Sequence, residues 1–189
     1  RTGWGGRPGN AAPRHRIEHF GVARPDQVIR AAQLGVVPVP RGRFVGEIGD
    51  GMRRALGPQR SAWAYRHASL LAAGLVVPGS SDRPVVDGRP LLGIHDMVNR
   101  RTASGEVLGP DEVVTAHDAL RAYTYGSAYA SYEEDRKGWI GPGTRGDFAV
   151  LSDDPTAVDP GELADIDVLA TLVGGRVVWD AGLGIGAPA

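Results

Sequence analysis

A chain of 189 residues is long enough for one globular domain, and its 42% hydrophobic and 23% charged residues exclude a disordered chain, a collagen or a coiled coil. Its 21 basic and 22 acidic residues leave a formal net charge of -1, so nucleic acid and membranes are not expected partners. Without cysteine, any metal ion must be held by His, Asp or Glu side chains. The sequence shows no signal peptide or membrane-spanning stretch, and we expect a cytoplasmic location.

The first half of the chain alternates short strands with helices. Residues 1–13 are rich in Gly and Pro and are predicted to form a linker. The segment from Arg14 to Phe20 is too short for a stable helix and predicts a strand. A helix is predicted from Pro25, at its first turn, to the glycine stop at Gly35. The apolar run from Val36 to Val39 predicts a strand that is buried on both faces.

The alternation continues beyond a glycine-broken segment at Gly46 to Gly51. A helix is predicted from Ser61 to Ala73, and a second buried strand from Leu75 to Val77. A loop from Gly79 to Arg89 leads to a helix from Pro90 to about Arg101. Apolar strands that alternate with helices indicate parallel pairing, as in a doubly wound sheet or a (β/α) barrel, although three strands are too few to close either.

The pattern changes after Gly109 to helices followed by short strands. Two helices are predicted on either side of Gly126, from Ala116 to Tyr125 and from Ser127 to Asp135. The three strands predicted after them are Asp147 to Leu151, Val168 to Val173 and Arg176 to Trp179. We therefore divide the chain into a barrel-like portion at residues 14–140 and a β portion at residues 141–189.

Two short motifs match known patterns by letter but lack the structural context that those patterns need. The segment from His15 to His19 reads H-x-x-E-H, the inverted zincin pattern, which requires a helix where a strand is predicted. The segment from Gly141 to Gly146 reads G-x-G-x-x-G, but it follows a helix and opens a strand, opposite to a dinucleotide-binding site. We interpret it as a turn, which argues against a nucleotide-binding domain.

Two strand ends carry side chains that are able to bind metal. His19 lies at the carboxyl end of the first predicted strand, and Asp82 lies just beyond the strand that ends at Val77. Barrel enzymes place ligands and catalytic groups at this end of their strands, and a His and a carboxylate can share a divalent ion. A structural histidine and an ordinary Gly-Ser-Ser-Asp turn explain the same residues, so both interpretations stay open at this point.

The chain resembles the C-terminal part of the metal-dependent amidohydrolases. His15 to His19 is similar to the sixth-strand motif of amidohydrolase family 3, the branch that includes N-substituted formamide deformylase-like enzymes, and Gly79 to Pro84 is similar to its eighth-strand motif. The segment from Gly143 to Leu151 resembles the first strand after the barrel. The resemblance implies an α/β fold, the C-terminal part of a (β/α)8 TIM-type barrel followed by strands of a small β-sandwich lobe.

By this resemblance, the protein would be a metal-dependent hydrolase that cleaves a non-peptide C–N or amide bond of a small molecule with a water activated by the metal. His19 would be a metal ligand, and Asp82 would be both a ligand and the general base. The ion would be a divalent metal, zinc by expectation, as one or two ions. Arg83 stands where the family commonly has Ala, and it would bind either an anionic substrate or a surface carboxylate.

The resemblance also implies further ligands on earlier strands, which no residue before Arg14 supplies. This chain alone is therefore expected to be inactive, with most of the metal ligands missing. The alternative interpretation is a truncated, non-catalytic remnant or interaction module that folds by association. The strand from Arg14 to Phe20 would offer an open edge for a homo-oligomer or for pairing with the missing N-terminal part.

Overall fold

The computed structural model describes residues 13–184 as a mixed α/β structure. Apart from residue 13, the predicted linker lies outside these residues, as does the end of the β portion at 185–189. The strands in this range are β1 (Arg16–His19), β2 (Val37–Pro40), β3 (Phe148–Leu151), β4 (Val168–Val173) and β5 (Arg176–Asp180). The α-helices are α1 (Pro25–Leu34), α2 (Phe44–Ser61), α3 (His67–Ala72), α4 (Pro90–Asn99), α5 (Ala116–Arg121) and α6 (Ser127–Ala130).

The first unit is a parallel strand pair joined by a helix, as the sequence predicts. β1 pairs with β2 in parallel, with Arg16 opposite Val37 and His19 opposite Pro40. Helix α1 crosses between them and ends at Gly35, which adopts a φ of 62°, a conformation that glycine reaches without steric cost. All four residues of β2 are buried, which confirms the predicted strand.

Helix α2 differs from the sequence prediction, which interpreted Gly46 to Gly51 as a break. The glycines lie inside the helix and allow neighbouring elements to approach it closely. A Cβ atom on Gly46 would lie 2.5 Å from a carboxylate oxygen of Asp96, and one on Gly49 would lie 2.6 Å from a methyl carbon of Thr102. The prediction was wrong because these glycines serve packing rather than a turn. The helix kinks only at Gly57, before Pro58.

The predicted helix from Ser61 to Ala73 is also shorter than expected. Only α3 is helical, because the chain turns before it at Tyr65, whose φ is 45°. The predicted strand from Leu75 to Val77 pairs with no other strand in the described range. Its end packs instead against the π-helical turn Ala122–Gly126, where Gly126 leaves no room for a Cβ atom beside the Val77 carbonyl oxygen.

The second half follows the predicted order, with differences at Gly126 and in the helix predicted from Ser127 to Asp135, which ends at Ala130. The predicted break at Gly126 is wrong, since α5, the π-helical turn and α6 form one continuous helical segment. Strands β3, β4 and β5 form the expected antiparallel sheet, and positive φ angles at Gly174 and Gly175 close the hairpin between β4 and β5. The segment from Gly141 to Gly146 is a turn, as predicted.

Three buried apolar clusters hold these elements together. The first joins α4 to α5 and to the 3-10 turn Pro160–Ala164 through side chains that include Ile94, Met97 and Leu163. The others lie beneath α2 and between α1 and α3. No helix formed by residues 13–184 is long and apolar enough to cross a bilayer.

Arg100, at the end of α4, is the largest fully buried side chain among these residues. Its guanidinium donates hydrogen bonds to the carbonyl oxygens of Leu108 at 2.9 Å, Tyr65 at 3.0 Å and Ala64 at 2.9 Å. Burial lowers the pKa of Arg100 to about 10, which leaves it a cation at neutral pH. One side chain therefore ties the end of α4 to the turn before α3 and to the segment before α5.

We expect Arg100→Leu to lower the free energy of unfolding by at least about 3 kcal/mol, because three buried carbonyl groups lose their donor. Urea denaturation followed by circular dichroism measures this loss. The neighbouring Arg101 is exposed and donates to one carbonyl, that of Gly105, so Arg101→Leu should change stability by less than about 0.5 kcal/mol. Equal stability of the two variants would contradict the role of Arg100.

Candidate metal centre

His19 ends β1 at the edge of the sheet where the carboxyl end of β2 also lies. The segment that reads H-x-x-E-H is a strand and not a helix, which excludes the inverted zincin arrangement. His19 has a φ of 66°, so the chain leaves the extended conformation at this residue. Its side chain is 52% exposed, which keeps the imidazole accessible to a ligand.

Asp82 lies in the loop after the extended segment at 75–77, and the structure brings it to His19. The distance between His19 Nε2 and Asp82 Oδ2 is 3.5 Å. Asp82 also has a positive φ, of 65°, a conformation that Asp tolerates better than most residues. The two side chains that the sequence singled out from separate strand ends are therefore neighbours.

The loop that carries Asp82 is fixed to the π-helical turn. The amide of Gly79 donates to the carbonyl oxygen of Ala122 at 2.8 Å, and Ser127 Oγ donates to the carbonyl oxygen of Gly79 at 3.2 Å. The hydroxyl of Tyr123 lies 3.4 Å from the carbonyl oxygen of Ser80, and burial raises the pKa of this phenol. The start of the loop is thus held by a packed helix, which limits how far Asp82 can move.

The spacing of His19 and Asp82 fits a shared divalent ion. Imidazole nitrogen and carboxylate oxygen are both ligands of zinc, with bonds of about 2.0–2.2 Å. Two such ligands on a tetrahedral ion lie about 3.4 Å apart, and the Nε2 to Oδ2 distance is 3.5 Å. The donor types and their separation both match those of two ligands of one metal ion.

Residues 13–184 contain an incomplete set of metal ligands. No group of three or more His, Asp or Glu side chains among residues 13–184 could hold a metal ion. A structural or catalytic zinc ion takes at least three protein ligands. His19 and Asp82 can therefore supply part of a site and would need further ligands from elsewhere.

Arg41 is a site residue that the sequence analysis missed. It follows the last residue of β2 directly, and its Nη2 lies 3.1 Å from Glu18 Oε2 and 3.4 Å from Asp82 Oδ1. Its side chain is only 5% exposed. The signal that could have found it is its place at a strand end, the same criterion that selected His19.

The Arg41 guanidinium is only partly satisfied. Its Nε and Nη1 atoms are buried and have no hydrogen-bond partner among the residues that the structure describes. A buried donor without a partner costs about 1–3 kcal/mol. The contacts with the carboxylates of Glu18 and Asp82 must therefore offset both this cost and the burial of the charge.

Aromatic rings form one wall beside the His–Asp pair. The imidazole of His19 packs edge-on against Phe44, with ring centroids 6.1 Å apart, and Phe44 packs edge-on against Tyr65 at 5.9 Å. Burial raises the pKa of Tyr65 to about 12, so its phenol keeps its proton at neutral pH. Sequence analysis missed this wall because Phe44 and Tyr65 lie 21 residues apart.

The turn that contains Tyr65 is stabilised by a hydrogen bond from the buried side chain of His67. The Nδ1 atom of His67 lies 2.8 Å from the Tyr65 carbonyl oxygen, so Nδ1 carries the proton and donates it. Full burial lowers the pKa of His67 to about 3, and the charge of Arg100 acts in the same direction. His67 is therefore neutral over the whole physiological pH range.

Arg83, the third residue selected from the sequence, follows Asp82 in the chain but has no contact with the His19–Asp82 pair among the described residues. It is exposed and lines an open groove of about 810 Å³, which Glu47 and Asp87 also line. Its aliphatic carbons pack over Gly88, where an added Cβ would lie 2.7 Å from Arg83 Cδ. No ion pair to its guanidinium occurs among the described residues, which leaves the cation facing solvent at the groove.

Comparison with known structures and family models gives the class and the family of the protein. A structure described as an uncharacterized metal-dependent hydrolase from Pyrococcus horikoshii OT3 matches with a TM-score of 0.68 and 33% identity, over 77% of this chain and 30% of that chain. Most of the chain thus shares its fold with part of a protein described as a metal-dependent hydrolase. The model of the Amidohydrolase family, Amidohydro_3, matches residues 2–179. The chain belongs to amidohydrolase family 3, as the sequence motifs indicated.

Two curated relatives support the same assignment. The N-substituted formamide deformylase of Arthrobacter pascens is 35% identical over 175 residues, which cover 92% of this chain and 32% of that protein. A Bacillus subtilis protein named as an amidohydrolase, YtcJ, is 32% identical over 168 residues, which cover 87% of this chain and 32% of that protein. The chain therefore spans about a third of the length of these relatives.

The buried neutral state of His67 predicts a pH-dependent stability. Because its folded pKa of about 3 lies below the ordinary value of 6.5, the unfolded chain binds a proton below pH 6.5 that the folded chain does not. Stability from this residue is complete above pH 6.5 and falls by about 1.4 kcal/mol per pH unit below it.

We expect His67→Asn, whose amide can still donate to the Tyr65 carbonyl, to remove this part of the pH dependence. Between pH 6.5 and pH 5 the wild type should lose about 2 kcal/mol more than the variant. Urea denaturation at the two pH values measures the difference, and His117→Asn, at an exposed histidine, is the control. Parallel curves for the wild type and His67→Asn would refute a neutral buried His67.

Proposed function

We propose that the whole protein is a metal-dependent amidohydrolase that cleaves a C–N or amide bond in a small molecule. The observation that carries this proposal is the His19–Asp82 pair, with donor atoms 3.5 Å apart at the end of strand β1 and in the loop after residues 75–77 of an amidohydrolase-family chain. The names of the relatives support it, since one is a metal-dependent hydrolase and another removes the formyl group of N-substituted formamides.

We further propose where this chain belongs in the whole architecture. Strands β1 and β2 and the extended segment at 75–77 would be the last three strands of a (β/α)8 barrel, with the 75–77 segment pairing once the first barrel strand lies beside it. Strands β3, β4 and β5 would belong to a β-sandwich lobe. The coverage of about a third of each relative supports this placement.

His19 Nε2 and the Asp82 carboxylate would hold a zinc ion together with ligands from outside residues 13–184. The ion would supply Lewis acidity, polarising the carbonyl group of the substrate and lowering the pKa of the attacking water. The Asp82 carboxylate accepts the proton of that water and delivers it to the leaving nitrogen. Phe44 excludes bulk water from one side of the imidazole, which strengthens the electrostatic contacts in the site.

Arg83 would bind an anionic group of the substrate. Arg83 directly follows Asp82 in the chain, and its exposed guanidinium lines the open groove and is not paired with a carboxylate in the described part of the chain. A carboxylate held there would extend from the scissile bond toward the groove, with the paired donors that Arg offers to planar anions.

The central test is the variant Asp82→Asn in the whole protein loaded with zinc. We expect kcat for a small amide, N-substituted formamides being the first to assay, to fall at least about 100-fold because the general base is lost. The matched control is Asp26→Asn, at an exposed aspartate that is ion-paired with Arg24 on the outside of α1. Turnover by Asp82→Asn equal to that of the control would refute the base assignment, and a wild type without turnover would favour the non-catalytic alternative.

A separate prediction concerns substrate charge. Arg83→Gln should lower kcat/KM about 10-fold or more for an amide that bears a carboxylate, because one charge-assisted hydrogen bond contributes about 1.5–3 kcal/mol. The kcat/KM for the matching neutral amide should stay within a factor of about two. An equal fall in kcat/KM for both amides would show that Arg83 does not bind the negative charge of the substrate.

A further inference from the structure

Arg41 is a buried charged side chain at the candidate site to which the proposed function gives no role. We propose that Arg41 is a positioning residue, which holds the Asp82 carboxylate by one oxygen so that the other faces His19. This inference rests on the proposed function and adds a residue that neither the motifs nor the relatives assign.

The two carboxylate oxygens of Asp82 have different partners. Oδ1 lies 3.4 Å from Arg41 Nη2, and Oδ2 lies 3.5 Å from His19 Nε2. A carboxylate can rotate about its bond to Cβ, and a fixed donor on one oxygen restricts that rotation. The contact with Arg41 therefore presents Oδ2 to the side where a shared ion would bind.

Arg41 is itself held in place by burial and by its contact with Glu18. Its side chain is buried, and it extends from the end of β2, which pairs with β1 over all four of its residues. The same Nη2 atom lies 3.1 Å from Glu18 Oε2, and Glu18 Oε1 is in turn 2.9 Å from Arg16 Nε. Since Glu18 directly precedes His19, one guanidinium couples the strand end that carries the His to the loop that carries the Asp.

The shape of the arginine side chain also suits a positioning role. A planar guanidinium can contact two carboxylates at fixed angles, whereas the ammonium of lysine is a point charge on a flexible stem. Partners that orient metal ligands affect metal affinity and activity by about 10- to 100-fold when they are replaced. A merely structural ion pair would change stability without changing either quantity.

The test uses the whole protein and three variants, with zinc affinity from chelator competition measured beside kcat and KM. We expect Arg41→Gln to weaken zinc binding about 10- to 100-fold and to lower kcat by about 10-fold or more. KM should stay within a factor of about three. Arg41→Lys should restore part of both losses, and Arg24→Gln, at an exposed arginine paired with Asp26, should match the wild type.

Zinc affinity and kcat equal to wild type in a folded Arg41→Gln protein would overturn the inference and leave the proposed function intact. If Arg41→Gln does not fold, the test is made with Arg41→Lys. A zinc affinity and a kcat equal to those of the wild type in Arg41→Lys would then overturn the inference. A wild type that neither binds zinc nor hydrolyses an amide would overturn the proposed function, and the role of Arg41 with it.

Discussion

The parallel pairing of β1 with β2 is the constraint on which the site depends. Because both strands run in the same direction, their carboxyl ends meet at one edge, with His19 opposite Pro40 and Arg41 next in the chain. A slip of this register by one residue would turn His19 to the other face of the sheet. The buried β2 and the crossover helix α1 fix the register, so the position of the imidazole follows from packing far from it.

Unfavourable backbone conformations are concentrated around this edge. His19, Tyr65 and Asp82 all have positive φ angles, which cost about 1–3 kcal/mol each in residues other than glycine. Such conformations persist only where the surroundings impose them. At Tyr65 the surroundings are known: Arg100 and His67 both donate to its carbonyl oxygen from the buried side. Two buried polar side chains with no direct role in chemistry thus hold the aromatic wall of the site.

Much of the fold could be predicted from the sequence, and the errors have physical causes. The strand β2, the helix α4 and the final hairpin follow from apolar patterns bounded by glycine and proline, and β1 follows from a span between Pro13 and Gly21 that is too short for a helix. Helix α2 could not be predicted because Gly46 and Gly49 serve contacts with Asp96 and Thr102, which lie about 50 residues away in the chain. Local patterns carry no information about such contacts.

The candidate site, like the fold, could be predicted from the sequence only in part. His19 and Asp82 could be selected because metal-binding residue types at strand ends are informative, and the structure brings them together. Arg41 also stands at a strand end, but that signal is weak for an arginine in a chain where 20 of the 21 basic residues are arginines. Its significance lies in burial and in its contacts with two carboxylates, which only the structure reveals.

The most direct test of the account is anomalous diffraction at the zinc edge from crystals of the whole protein grown with zinc. The account predicts a peak at bonding distance, about 2.0–2.2 Å, from both His19 Nε2 and an oxygen of Asp82. A zinc ion bound at other side chains, with His19 and Asp82 outside coordination distance, would contradict it.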